Sequence, residues 1–166
     1  PIGLEYIASY IEDVVEDIHI VDMEMDTRNF QGVMALYRPD LVCISMSATE
    51  HTEGLRLAGI AKANGAIVVV GGYHPTGIPE LMLSFPQVDL VVRGEGEITM
   101  KELVEKGGPE GVLGVSYRKD EEVVHNVDRP VVVDLDCLPF PARHLRQYVY
   151  KTNGGTVDYD AVTMSR

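Results

Sequence analysis

Four short β-rich runs recur along the chain, at residues 18–23, 41–46, 66–70 and 88–92, each followed by a stretch with helical spacing. This alternation restricts the fold more than any other feature. Phe30, Val33, Met34 and Tyr37 are spaced as one helix face and stop at Pro39. Residues 54–64 place Leu57, Ala58 and Ala61 together and close on Gly65. Residues 79–85 end at Pro86, and residues 97–106 end at Gly107 and Gly108. Ahead of them all, Leu4, Ile7, Ala8, Ile11 and Val15 predict a helix over 2–15, with Pro1 suited to its start. Near-continuous Val, Ile and Leu strands joined by helices mean a parallel sheet, because each strand must return by a crossover connection. The expected class is a three-layer α/β fold of the Rossmann or flavodoxin-like kind, helices covering both faces.

Past Gly108 the character changes. Residues 112–118 and 122–127 read as two strands joined by a polar turn at 119–121, a β-hairpin. Residues 134–150, with Pro139-Phe140-Pro141, read as a connecting arm, and 160–164 as one more strand. A length of 166 residues suits one domain and an appendage. No apolar run reaches the roughly 20 residues that span a bilayer, so no membrane partner is expected. A formal net charge of −12 argues against nucleic acid as a direct partner, since phosphate binding draws on clustered Lys and Arg. Cys43 and Cys137 have no zinc or iron–sulfur spacing, and a reducing cytoplasm is the simplest compartment for them. Because residue 1 is Pro and no signal-peptide pattern follows it, the N-terminus is expected to be trimmed or internal to a longer product.

In open parallel sheets the ligand crevice lies beyond the carboxyl ends of the strands. Three turns there stand out. At the end of the second run, after Ile44, come Ser45, Ser47 and Thr49, whose hydroxyls can donate and accept at a loop mouth, with Met46 among them. After the third come Gly71 and Gly72, then Tyr73, His74 and Pro75. After the fourth come Arg93, Gly94, Glu95, Gly96 and Glu97. Paired glycines let a bulky ligand lie against bare backbone; they equally serve a tight strand-to-loop turn. Ser45 and Ser47 taken alone are ordinary loop hydrogen bonders. Glu95 and Glu97 could form an acid and base pair, but Glu97 in a first helical turn is better explained by the helix dipole. Arg93 offers a cation for a ligand phosphate or carboxylate.

Of the histidines, His74 is placed to approach a ligand, whereas His51 and His125 are expected on the surface. Asp17-Ile18-His19 has the Asp-x-His form of a lower cobalt ligand. It precedes a strand instead of following one and lacks the Gly three residues on, so it is set aside.

As an ordered set these motifs resemble the N-terminal half of cobalamin-dependent radical S-adenosylmethionine (SAM) proteins, the group of methyltransferases and the anaerobic magnesium-protoporphyrin monomethyl ester cyclase. The resemblance runs through Pro1-Ile2-Gly3-Leu4-Glu5-Tyr6-Ile7-Ala8, Pro39-Asp40-Leu41-Val42-Cys43-Ile44-Ser45, Gly71-Gly72-Tyr73-His74-Pro75-Thr76 and Val91-Val92-Arg93-Gly94-Glu95-Gly96-Glu97. It continues in Leu138-Pro139-Phe140-Pro141-Ala142-Arg143 and Ser165-Arg166. It implies a cobalamin-binding domain over 1–108, a hairpin extension over 109–133 and an arm over 134–166 leading into a radical SAM barrel in cis. Ser45, Met46, Ser47, Thr49, Gly71 and Gly72 would receive the nucleotide tail; Tyr73, His74 and Arg93, Gly94, Glu95 and Gly96 would meet the corrin. The cobalamin would be base-off with no histidine from the protein. The 4Fe–4S cluster and SAM would belong to the parent protein alone, which leaves this stretch non-catalytic by itself. Two departures stand out: the family's first strand is absent, and the cluster's cysteine triplet would follow Ser165-Arg166. Without the first strand, the sheet would hold a gap or the 18–23 strand would shift. Two competing readings are a degenerate relative that binds no corrin and offers a recognition surface, and a flavodoxin-like domain carrying flavin mononucleotide.

Overall fold

The computed structural model describes residues 2–23, 29–133 and 138–146, together with the backbone of 151–152 and 155–156. Helix α1 spans Ile2–Ile11 and α2 spans Phe30–Tyr37. There follow β1 (Leu41–Ser45), α3 (His51–Ala63), β2 (Ile67–Gly71), two short helices α4 (Tyr73–Gly77) and α5 (Pro79–Ser84), β3 (Leu90–Val92) and α6 (Glu97–Lys106). The hairpin strands are β4 (Val115–Lys119) and β5 (Glu122–His125). Strands β6 (Lys151–Thr152) and β7 (Gly155–Thr156) form a separate two-residue ladder. The strand expected at 160–164, Cys137 and Ser165-Arg166 lie outside the described residues. No helix among the described residues is long and apolar enough to cross a membrane.

The five main strands form one sheet in the order β1-β2-β3-β4-β5, so sequence neighbours are spatial neighbours. β1, β2 and β3 run parallel, and β4 and β5 add antiparallel at the β3 side. The two-residue side-chain period of a strand explains the three layers. Val68, Val70 and Val91 turn to one face, where Phe30, Val33 and Met34 of α2, Leu57, Ala58 and Ala61 of α3, and Met82 and Leu83 of α5 cover them. Val69, Leu90 and Val92 turn to the other and meet Ile11 of α1 and Met100 and Leu103 of α6, joined there by Val115 and Tyr117 of β4. The expected three-layer α/β architecture is therefore present, with the hairpin integrated into the sheet.

One expected strand is missing. Residues 18–23 make no ladder, although Ile20 is buried against Ala8 and Ala142 and Val21 and Met23 pack on the α2–α3 side of the core. Branched side chains satisfy burial, but a strand also needs a neighbour for its N–H and C=O groups. Among the described residues none is paired with it, and β1 pairs only with β2. The first helix is also shorter than its apolar spacing suggests, giving way to turns over 12–16.

Two arginines bind the hairpin to the rest. Arg118 of β4 donates to the carbonyls of Leu83, of Phe85 at 3.3 Å and of Val88 at 2.8 Å, satisfying carbonyls at and beyond the end of α5. Arg93, two residues from Val91, which pairs with Ser116, does the same from the β3 side. The arm is held differently. Ala142 N donates to Glu5 O at 2.9 Å, and Arg146 grips the Glu5 carboxylate with two hydrogen bonds of 2.9 and 2.8 Å. Glu5 is fully buried inside α1, so this charge depends on its partner. Breaking a buried pair from one side costs more than replacing both sides with apolar groups. Arg146→Met should therefore cost about 3 kcal/mol or more in urea denaturation, while Glu5→Leu combined with Arg146→Met should recover most of that loss.

Candidate functional site

Because β1, β2 and β3 are parallel and adjacent, their carboxyl ends and the turns that follow lie side by side. The β1 turn is fastened to the end of β2 by Met46 N donating to Gly71 O at 3.1 Å. Immediately beyond, Gly72 adopts φ +101°, a backbone region that side chains disfavour. A Cβ there would stand 3.0 Å from Met46 O and 3.3 Å from Ser45 Oγ. Gly72 is thus required by a close backbone crossing.

Helix α4 then ties all three turns together. Thr76 N donates to Gly72 O at 3.1 Å, and Thr76 Oγ1 accepts from Gly94 N at 3.1 Å, reaching the β3 turn. His74 Nε2 lies 2.9 Å from His51 Nδ1 at the start of α3, which follows the β1 turn. The two imidazoles meet edge to face, and Phe85 stands 5.8 Å from His51.

Most of the sequence-predicted residues therefore share one rim, but their roles differ. Ser45, Ser47 and Thr49 are exposed, and the hydroxyls of Ser47 and Thr49 bond one another at 2.9 Å. Ser47 N donates to Glu50 Oε2 at 2.7 Å, and hydrogen bonds from Ser47 hold the Glu50 carboxyl below the usual carboxylate range. Tyr73 is 90% exposed at the top of the rim. Gly94, at φ +70°, has nothing within 4 Å of where a Cβ would be, so its backbone is bare. Met46 belongs to the core: it is buried, and its Cε and Sδ pack so closely over Gly54 that a Cβ there would be 2.6 Å away. Only its backbone faces the turn.

Arg93 also departs from expectation. Its guanidinium donates to Ser116 Oγ, to Asn126 O at 2.6 Å and to Asp128 Oδ1 at 2.7 and 3.1 Å. These hairpin groups occupy the donors assigned to a ligand anion, because antiparallel pairing brings β4 directly beside β3. Glu95 accepts from Val132 N at 3.1 Å, and Glu97 is buried in the first turn of α6, which leaves no exposed carboxylate pair for acid–base work. His51, expected on the surface, is half-buried and paired, and exposed His125 bonds Ser116 Oγ at 2.8 Å. His19 stacks on Tyr37 at 3.7 Å. Tyr37 ends the helix that leads into the amino end of β1, so His19 lies at the opposite edge of the sheet from the rim.

The unforeseen element is α4. Its five residues, Tyr73–Gly77, contain a proline and no apolar period, and so read as loop. The available signal was Gly72 before it and Pro75 at its third position, where a missing N–H costs nothing. His51 was missed because α3 starts three residues before the expected Gly54.

The family model for the B12 binding domain matches residues 1–104. An uncharacterized methyltransferase of Pyrococcus horikoshii is 36% identical over 177 aligned residues, covering 100% of this chain and 38% of its own length. The anaerobic magnesium-protoporphyrin IX monomethyl ester cyclase of Synechocystis is 30% identical, covering 90% of this chain and 33% of that protein. This chain thus spans about a third of the length of these curated relatives. Among solved structures, the cobalamin-dependent SAM radical enzyme OxsB with aqua-cobalamin bound superposes with a TM-score of 0.68 at 25% identity, over 86% of this chain and 21% of that one. The radical SAM methyltransferase TsrM of Kitasatospora setae, with cobalamin and its 4Fe–4S cluster bound, has the same fold at a TM-score of 0.67 and 18% identity, over 85% of this chain and 28% of that one.

Two consequences of the rim geometry can be measured. Gly72→Ala combines a left-handed backbone with a 3.0 Å approach to a carbonyl, so chemical denaturation should show a loss of about 1–3 kcal/mol. On β1, desolvation pushes the Cys43 thiol from its ordinary 9.0 to about 12. At pH 8 its thiolate fraction is then about a thousandfold below that of a free thiol. In a Cys137→Ser background, the folded protein should resist alkylation until denaturant is added; rapid native-state labelling would contradict this.

Proposed function

The chain belongs to the B12 binding domain family, and from that premise we propose that it holds cobalamin on the carboxyl rim of its sheet and presents it to a radical SAM catalytic domain of the same parent chain. The observation that carries this reading is the convergence of three distant turns on one exposed ledge, pinned together through α4. Ser45, Ser47, Thr49, Gly71 and Gly72 receive the nucleotide tail; Tyr73, His74, Gly94, Glu95 and Gly96 meet the corrin. Arg93 and Met46 serve the site from behind, Arg93 by anchoring the β3 turn to the hairpin and Met46 by filling the core under the β1 turn.

The residues present fit such a group. Bare backbone at Gly94, exposed hydroxyls at Ser45, Ser47 and Thr49 and an exposed Tyr73 suit a broad ligand with many amide substituents. Cobalamin, when bound, supplies methyl-carrying and radical chemistry. The protein contributes orientation: the short ties among the turns keep the ledge in one shape, and the buried sheet beneath keeps water from its underside. Base-off binding without a protein histidine is supported by the placement of His19 at the far edge and by the engagement of His74 with His51. On this reading residues 1–108 hold the cofactor, 109–133 are an extension of that domain, and 134–166 belong to the link with the catalytic barrel. The relatives named as methyltransferases and cyclases favour methyl transfer or oxidative cyclisation for the parent.

Hydroxocobalamin mixed with the protein should co-elute with it in gel filtration and show a shifted corrin absorption. After reduction, the cob(II)alamin EPR spectrum should lack the splitting from an axial nitrogen. A spectrum with that splitting would overturn the base-off assignment, and no binding by the chain or its intact parent would overturn the function.

A further inference from the structure

Five residues make α4 too short to hold itself together, and it carries no side-chain cap at its start. Its stability must come from its surroundings. Besides the buried ring of Pro75, two side-chain ties connect it to the neighbouring turns: Thr76 Oγ1 to Gly94 N on the β3 side, and His74 to His51 on the β1 side. Tyr73, exposed at the rim, is adjacent to His74 in the same helix, so the attitude of the one is linked to that of the other.

The His51–His74 contact is a hydrogen bond between two ring nitrogens, Nδ1 of His51 and Nε2 of His74, 2.9 Å apart. Only one of those nitrogens can carry the intervening proton, because two N–H groups would point at each other. The bond therefore fixes the direction of each ring and couples donor on one to acceptor on the other, a service that a carboxylate performs for many functional histidines. An imidazole does so without placing a negative charge at the ledge. Phe85 against His51 limits the water that could compete.

We propose that His51 is a positioning residue for the cofactor ledge: through one shared proton it sets the ring orientation of His74, and with it the attitude of α4 and Tyr73. The inference rests on the ledge being the corrin seat. It assigns a role in cofactor binding to a side chain on α3 that lies beneath the ledge.

The test uses the full chain with two variants, His51→Ala and His51→Asn, the asparagine amide reaching roughly where Nδ1 stood. NMR relaxation of the His74 ring should show one rigid orientation in the unaltered protein and in His51→Asn, and a mobile ring in His51→Ala. Hydroxocobalamin titration should show His51→Ala weakened about threefold to tenfold, the worth of one partly buried hydrogen bond, with His51→Asn restored. Circular dichroism spectra and melting temperatures of the two variants should match, which separates loss of position from loss of fold. A mobile His74 ring in the unaltered protein, or equal affinity of His51→Ala and the unaltered protein, overturns the proposal. If the unaltered protein fails to bind cobalamin, the corrin seat itself falls and the proposal falls with it.

Discussion

At Gly72 two backbones come into contact. The turn leaving β2 crosses the turn leaving β1 so closely that a methyl group would touch Met46 O and Ser45 Oγ, and the chain can do this only with φ at +101°. Everything on the rim depends on that crossing. It sends the chain directly into α4, which sets His74 against α3 and Thr76 against Gly94. A larger residue would separate the turns and leave a short, uncapped helix without support.

The crossing is stable because the sheet beneath it is filled on both sides. Alternate residues of β2 and β3 supply the two cores, one closed by α2, α3 and α5 and the other by α1 and α6. The hairpin protects what would otherwise be the β3 edge, and Arg93 and Arg118 hold it by spending their guanidinium donors on carbonyls and on Ser116 and Asp128. At the other end of the chain, the buried Glu5–Arg146 pair fixes the arm to α1. Such a pair adds little net stability over an apolar substitute, but it accepts only one register. Ala142 and Arg146 are therefore held in one place on α1.

Much of this was legible in the sequence, because period and punctuation are local. Helices α2 and α6 ended where Pro39 and Gly107 indicated, and the three parallel strands lay where the apolar runs stood. The rim was legible too, since parallel neighbours must bring their carboxyl ends together. What failed was non-local. Residues 18–23 have strand composition but no ladder partner among the described residues, and partnership is not written in composition. Arg93 looked free because its competitors, Ser116, Asn126 and Asp128, are 23 to 35 residues away. Met46 looked like a rim residue because it sits between two serines, whereas the pleat and Gly54 turn it inward.

The correction at Arg93 changes the electrostatic character of the ledge. With that guanidinium committed to the hairpin, and Arg56 in the middle of α3 paired with Glu53 at 2.6 Å, the ledge is left with hydroxyls, backbone groups, a tyrosine, the His51–His74 pair and the carboxyl groups of Glu50 and Glu95, each accepting a backbone N–H. A chain of net charge −12 with no free cation assigned to that rim offers little to a small, highly charged anion. Donors and acceptors spread over three turns instead suit a wide ligand whose periphery is mostly amide. For such a ligand, affinity comes from holding many weak contacts in register at once, so the rigidity of the ledge matters more than any single group on it. Backbone crossing, short helix and histidine pair all act on that one quantity.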